Sequence, residues 1–215
     1  MFEHDRVILG EMRCGALSVD ASRVRLVLDH LVYATPDLAA TTADLAARGL
    51  KLSEGGPHQG LGTRNLLAGL GLGRYLEVIG PDPDQPRPQV ARPFGIDMLT
   101  APRLVTWAIR KADLDPADSV AMSRTRPDGV VLEWRLSFPE SGDGIVPFMI
   151  DWGHAPHPSA DAAEGARLIA LTATHPEPAA VTREIEMLGA QLDVLPGPVQ
   201  LRAVIATPGG EVTLR

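Results

Sequence analysis

Three side chains sit where their surroundings should exclude them. His30 lies in the apolar run Leu28-Asp29-His30-Leu31-Val32-Tyr33-Ala34, Glu77 in Tyr75-Leu76-Glu77-Val78-Ile79, and Asp151 near the end of Phe148-Met149-Ile150-Asp151-Trp152. A polar group in an apolar strand is costly unless it is paired, hydrogen-bonded or bound to a cation. One imidazole and two carboxylates suit a divalent ion (Zn, Fe, Mn or Ni) with coordination positions left open for a substrate. An ion on His30 and Glu77, with Asp151 or water completing its shell, would polarise two adjacent oxygens of a small molecule and stabilise an enolate, with Glu77 or His58 moving the proton. Each residue also has a structural alternative. His30 could be a hydrogen-bonded core histidine, Glu77 could pair with Arg64, Arg74 or Arg103, and Asp151 could hold the backbone near Gly153.

Other residues would complete a cleft. His58 lies in the glycine-rich stretch Glu54 to Gly62, expected to be a loop able to fold over a pocket as a lid. Trp107, Trp134 and Trp152 fall in strands and suit the walls of an apolar small-molecule site. Arg103 and Arg124 are candidates to grip a carboxylate. Asn65, Thr106 and His157 complete the expected substrate-binding set. Gly69-Leu70-Gly71-Leu72-Gly73 is not a dinucleotide fingerprint, because no helix follows it.

The elements that must position these residues begin with a repeat. Leu28 to Ala40 aligns without a gap with Leu168 to Ala180, and both copies run on to a glycine, Gly49 and Gly189. Each reads as strand, helix start, helix stop. In the first copy Thr35 is the expected N-cap and Pro36 the first helical residue. Thr63–Leu70 and Arg74–Ile79 follow as strands of a hairpin. The proline-rich segment from Pro81 to Pro88 is an extended linker. A second unit runs from Leu104–Ile109 through a poor helix at Pro116, then a hairpin about Pro127-Asp128-Gly129, to a closing strand at Ile145–Trp152. A third starts at Arg167, with a helix from Pro176 and a last hairpin at Pro208-Gly209-Gly210. The expected division is a 1–25 extension, units at 26–90 and 91–160, and a third, partial unit at 161–215. That unit would pack beside or over the first two and cap an edge otherwise free to pair between chains.

Composition sets the class. The chain has 215 residues, 45% hydrophobic and 22% charged, as expected of a soluble globular protein. A net charge of −7 without a basic stripe argues against nucleic acid. No apolar run approaches the roughly 20 residues of a bilayer span. The single cysteine, Cys14, suits a reducing compartment, so the expected location is cytoplasmic.

Paired β-α-β-β-β units with Asp29-His30-Leu31-Val32-Tyr33 and Tyr75-Leu76-Glu77-Val78-Ile79 resemble the vicinal oxygen chelate superfamily. Three further segments resemble, more narrowly, the glyoxalase-like domain proteins of bacteria: Gly56-Pro57-His58-Gln59-Gly60-Leu61-Gly62-Thr63-Arg64-Asn65, Pro102-Arg103-Leu104-Val105-Thr106-Trp107, and Val146-Pro147-Phe148-Met149-Ile150-Asp151-Trp152-Gly153. The resemblance implies an α+β fold in which repeated βαβββ units form a concave half-barrel sheet, with a third related C-terminal unit. It also implies metal ligands from the first and last strands of each unit. His30 and Glu77 match the first pair. The second unit offers Thr106 or Leu104, and Ile150 or Asp151 depending on register. The implied activities are metal-dependent lyase, isomerase or dioxygenase chemistry on a small oxygen-rich metabolite. The alternatives are a metal-free sequestering module, and a closed interior in which the polar residues satisfy one another. A homodimer is compatible with the superfamily.

Overall fold

A computed structural model describes residues 28–126, 128–140 and 143–215. The expected N-terminal extension, Cys14, the start of the first strand at Leu26, and Pro127 lie outside the described residues.

The first unit comprises β1 (Leu28–Ala34), α1 (Leu38–Ala47), β2 (Ser53–His58), β3 (Thr63–Gly71) and β4 (Arg74–Pro81). Helix α1 is capped by Asp37, whose carboxylate accepts from Ala40 N at 2.9 Å. Thr35, the expected cap, is instead buried just ahead of the helix, with its hydroxyl 2.7 Å from that of Thr41. Gly49 ends the helix at φ 85°, a left-handed conformation that glycine adopts without a Cβ penalty. Of the glycine-rich stretch expected as a lid, Glu54 to His58 lies in strand β2, paired antiparallel with β3, and Gln59 to Gly62 is the turn that joins them. The glycines within β2 allow close approach, since a Cβ on Gly56 would stand 2.4 Å from Thr125 O on a facing strand.

The second unit repeats the pattern with β5 (Arg103–Arg110), β6 (Val120–Thr125), β7 (Val131–Ser137) and β8 (Phe148–Asp151). A single 3₁₀ turn at Pro116–Asp118 stands in for the helix. The eight strands form one sheet in the order β2-β3-β4-β1-β5-β8-β7-β6. Each unit pairs its first strand in parallel with its last, and the units join through antiparallel β1 and β5. The outer edges, β2 and β6, curl round to touch, and Arg124 on β6 donates to Gly55 O on β2. The sheet is therefore a nearly closed, strongly curved half-barrel.

The third unit has β9 (Arg167–His175), α2 (Pro178–Met187), β10 (Asp193–Pro196), β11 (Gln200–Thr207) and β12 (Gly210–Leu214). It shares the element order of the first but not its pairing, since its sheet runs β10-β9-β11-β12 with β9 parallel to β10. It covers a face rather than an edge of the large sheet. Leu168, Leu171, Leu201 and Ile205 join Leu31, Leu76, Trp107 and Ile109 in one apolar core on the convex side. Fully burying one such side chain contributes about 1.5–3 kcal/mol. A second core lines the concave side, with Val32, Ile79, Leu132 and Phe148 among its members. No helix among the described residues is long and apolar enough to cross a membrane.

Candidate functional site

Strand alternation decides what faces the hollow. On β4, Leu76 and Val78 enter the convex core, so Tyr75, Glu77 and Ile79 face inward. On β1, His30 shares the inward side with Val32 and Ala34, and its ring stacks on Tyr75 with centroids 4.7 Å apart. The hollow is a cavity of about 230 Å³. Its floor is polar, with His30, His58, Asn65, Glu77 and Arg124. The rest of its lining is mainly aromatic and aliphatic, with Phe94, Trp134, Phe148, Ile150 and Trp152.

Glu77 is the hub of the floor. Its Oε1 accepts from Asn65 Nδ2 at 2.6 Å and lies 3.7 Å from His58 Nε2, and its Oε2 lies 3.8 Å from His30 Nε2. Asn65 Oδ1 is buried without a partner and lies against Gly55, where a Cβ would stand only 2.1 Å from it. His58 terminates β2, with Nδ1 3.1 Å from the Thr63 hydroxyl. Burial pushes its pKa below the usual histidine value, reinforced by the Arg124 charge and opposed by Glu77.

Behind the floor stands Asp29, which is 0% exposed. It accepts from His30 Nδ1 (2.8 Å), Arg110 Nε (2.8 Å), His157 Nε2 (2.9 Å) and Trp152 Nε1 (3.2 Å). Burial alone would raise its pKa. Hydrogen bonds from His157 and His30 outweigh burial and hold the carboxyl far below the usual range. An ionised Asp29 accepts only, so it places a proton on His30 Nδ1 and leaves Nε2 directed toward Glu77. Sequence reasoning misses Asp29, because neighbours on a strand should face opposite sides. The pairing of β1 with β5 shifts register between Leu28 and His30, so Asp29 is an extra, bulged residue whose side chain is re-aimed. The available signal is a second polar residue in an apolar strand.

The structure thus brings together His30, His58, Asn65, Glu77, Arg124, Trp134 and Trp152. The remaining expected residues lie elsewhere. Asp151 points away, because its neighbour Ile150 faces the cavity; its carboxylate accepts from Leu114 N at 3.2 Å and Gly153 N at 2.9 Å. Trp107 is fully buried on the convex side, with Nε1 donating to Ile145 O at 2.8 Å. Arg103 and Thr106 line an adjoining outer groove that shares Phe94, Phe138 and Phe148 with the cavity. His157 sits behind the wall, against Tyr75 and Trp152, and holds Asp29.

The expected metal centre is not assembled. His30 Nε2 and Glu77 Oε2 are spaced to share an ion with bonds of about 2.0–2.2 Å. The second unit adds no donor, because Phe148 and Ile150 occupy the facing positions on β8. Among the described residues, no group of three or more His, Cys, Asp or Glu could hold a metal ion. The donor set does not fit the ion.

The family model for the glyoxalase-like domain matches residues 28–189. No curated protein matches the chain. Among solved structures, a hypothetical protein from Staphylococcus aureus is similar at TM-score 0.60 and 13% identity, over 87% of this chain and 98% of that one. Methylmalonyl-CoA epimerase from Mycobacterium tuberculosis is similar at TM-score 0.42 and 18% identity, over 65% of this chain and 95% of that one. A single-substitution variant of the Streptomyces coelicolor methylmalonyl-CoA epimerase, in complex with 2-nitronate-propionyl-CoA, is similar at TM-score 0.40 and 16% identity, over 61% of this chain and 97% of that one.

Proposed function

Because the chain belongs to the glyoxalase-like domain family, we propose that the cavity binds a small carbonyl-bearing metabolite and moves a proton on it. The observation that carries this reading is His30, fixed by Asp29 on one nitrogen and presenting the other beside Glu77 inside an apolar cavity. Such a ring can take a proton from carbon next to a carbonyl, and a positioned base contributes about 10²–10⁴-fold in rate. Glu77, held at Oε1 by Asn65, is the partner that returns or relays the proton. His58, kept from charging by burial, can hydrogen-bond a substrate oxygen without adding charge. The aromatic wall excludes water and stacks on the substrate, which strengthens the electrostatics of the floor. Proton transfer at carbon places the reaction among isomerisations and lyase steps.

The wall supports a second reading, sequestration without turnover, because the second unit contributes mainly packing surface to the cavity. One experiment separates the two. Binding of phenylpyruvate is followed by quenching of Trp134 and Trp152, and deuterium uptake at its C3 in D₂O by NMR. Saturable quenching with exchange faster than buffer, lost in His30→Ala, is the expected result. Quenching without added exchange leaves sequestration. Absence of saturable quenching contradicts both.

A further inference from the structure

Arg124 is a cation in an unusual position. It is 4% exposed and lines the cavity from β6. Among the described residues it donates a hydrogen bond to Gly55 O, and no carboxylate lies within ion-pair distance. Glu77 acts on it only through space, its Oε1 being engaged by Asn65. Asp29, a buried charge behind the floor, is by contrast surrounded by donors. Buried charges are ordinarily paired, because an unpaired one carries a large desolvation cost. A guanidinium offers five N–H donors, and the link to Gly55 that closes β2 on β6 uses a small part of that capacity.

We propose that Arg124 anchors the carboxylate of the ligand, so that the cleft selects small monoacids with a flat apolar body. This rests on the reading of the cavity as a small-molecule cleft and names its substrate class. The guanidinium fork matches a planar carboxylate. A phosphate dianion is disfavoured, since one arginine would face two added charges in a cavity that already holds Glu77. About 230 Å³ lies below the roughly 300–1,000 Å³ of sites for drug-sized ligands. It suits a ring with a short side chain, seated between Phe94, Trp134 and Trp152.

The test compares phenylacetate with phenylacetamide, its neutral analogue of nearly the same shape, by calorimetry and tryptophan quenching. The proposal expects the acid to bind about 10- to 100-fold tighter, the worth of a hydrogen bond to a charged group. Arg124→Gln should erase that preference while leaving amide binding in place. Arg124→Lys, which keeps the charge and the fold if Gln does not, should retain only part of it. Equal affinity of acid and amide for the wild type overturns the anchor and leaves the cleft reading standing. Preference surviving in Arg124→Gln also overturns it, and binding of neither probe overturns anchor and cleft together. Preference for the acid without His30-dependent deuterium uptake keeps the anchor and removes only the proton transfer.

Discussion

Replacing Asp29 by Asn tests the support beneath the site. The substitution keeps the shape and removes the charge that His30, Arg110, His157 and Trp152 share. One amide oxygen can still accept from His30 or Trp152, but the new NH₂ group then faces donors on Arg110 and His157. Breaking a buried charged pair costs about 3–5 kcal/mol. Arg110 is 49% exposed and regains water, so the lower end applies, about 3 kcal/mol. At about 2–4 °C per kcal/mol for a chain of this size, the melting temperature should fall by about 6–12 °C at pH 7. The pH dependence has a definite sign. Because the folded carboxyl is held far below its ordinary value, its contribution is complete above about pH 4 and is lost as pH falls toward the folded value. The gap between wild type and Asp29→Asn in scanning calorimetry should therefore stay constant from pH 7 to about pH 4.5 and close below that. A melting temperature within about 2 °C of wild type, with phenylacetate binding unchanged, would refute the role given to Asp29.

Three other outcomes follow from the same geometry. Gly55→Ala places a Cβ 2.1 Å from Asn65 Oδ1, so Asn65 must turn and release Glu77; ligand binding should weaken at least tenfold for a stability loss of about 1–3 kcal/mol, and an unchanged Kd contradicts it. His58 resists protonation when folded but not when unfolded, so stability should fall as pH drops below about 6.5, and His58→Gln should flatten that slope in urea titrations. Zn²⁺, Mn²⁺ or Ni²⁺ should leave the melting temperature unmoved, whereas a bound ion at a hundredfold its Kd would add about 2.7 kcal/mol.

Much of this site is legible in the sequence because burial of polar groups is costly. His30 and Glu77 betray themselves as polar residues in apolar strands, and both reach the cavity. The same rule points at Asp151, but there a one-residue register decides the face, and β8 turns Ile150 inward. Asp29 is hidden by a bulge, which breaks the alternation that sequence reading relies on. His58 is misplaced because Gly55 and Gly56 read as a flexible loop, when their lack of side chains lets β2 close on β6. Trp107 cannot be distinguished from Trp134 and Trp152 by composition, since both faces of this sheet are buried and both demand apolar bulk. The third unit shows the limit of repeat detection. The shared strand–helix–glycine pattern locates the elements β9 and α2, whereas strand pairing is set by long-range contacts that the repeat does not encode.

The most direct test is ¹⁵N NMR of the histidine rings at neutral pH, with His30 assigned by its loss in His30→Gln. The account predicts a proton on His30 Nδ1, held by Asp29, and an Nε2 resonance that shifts when phenylacetate saturates the cavity. A ring bearing its proton on Nε2 alone, or one whose resonances stay fixed while Trp134 and Trp152 are quenched, would contradict it.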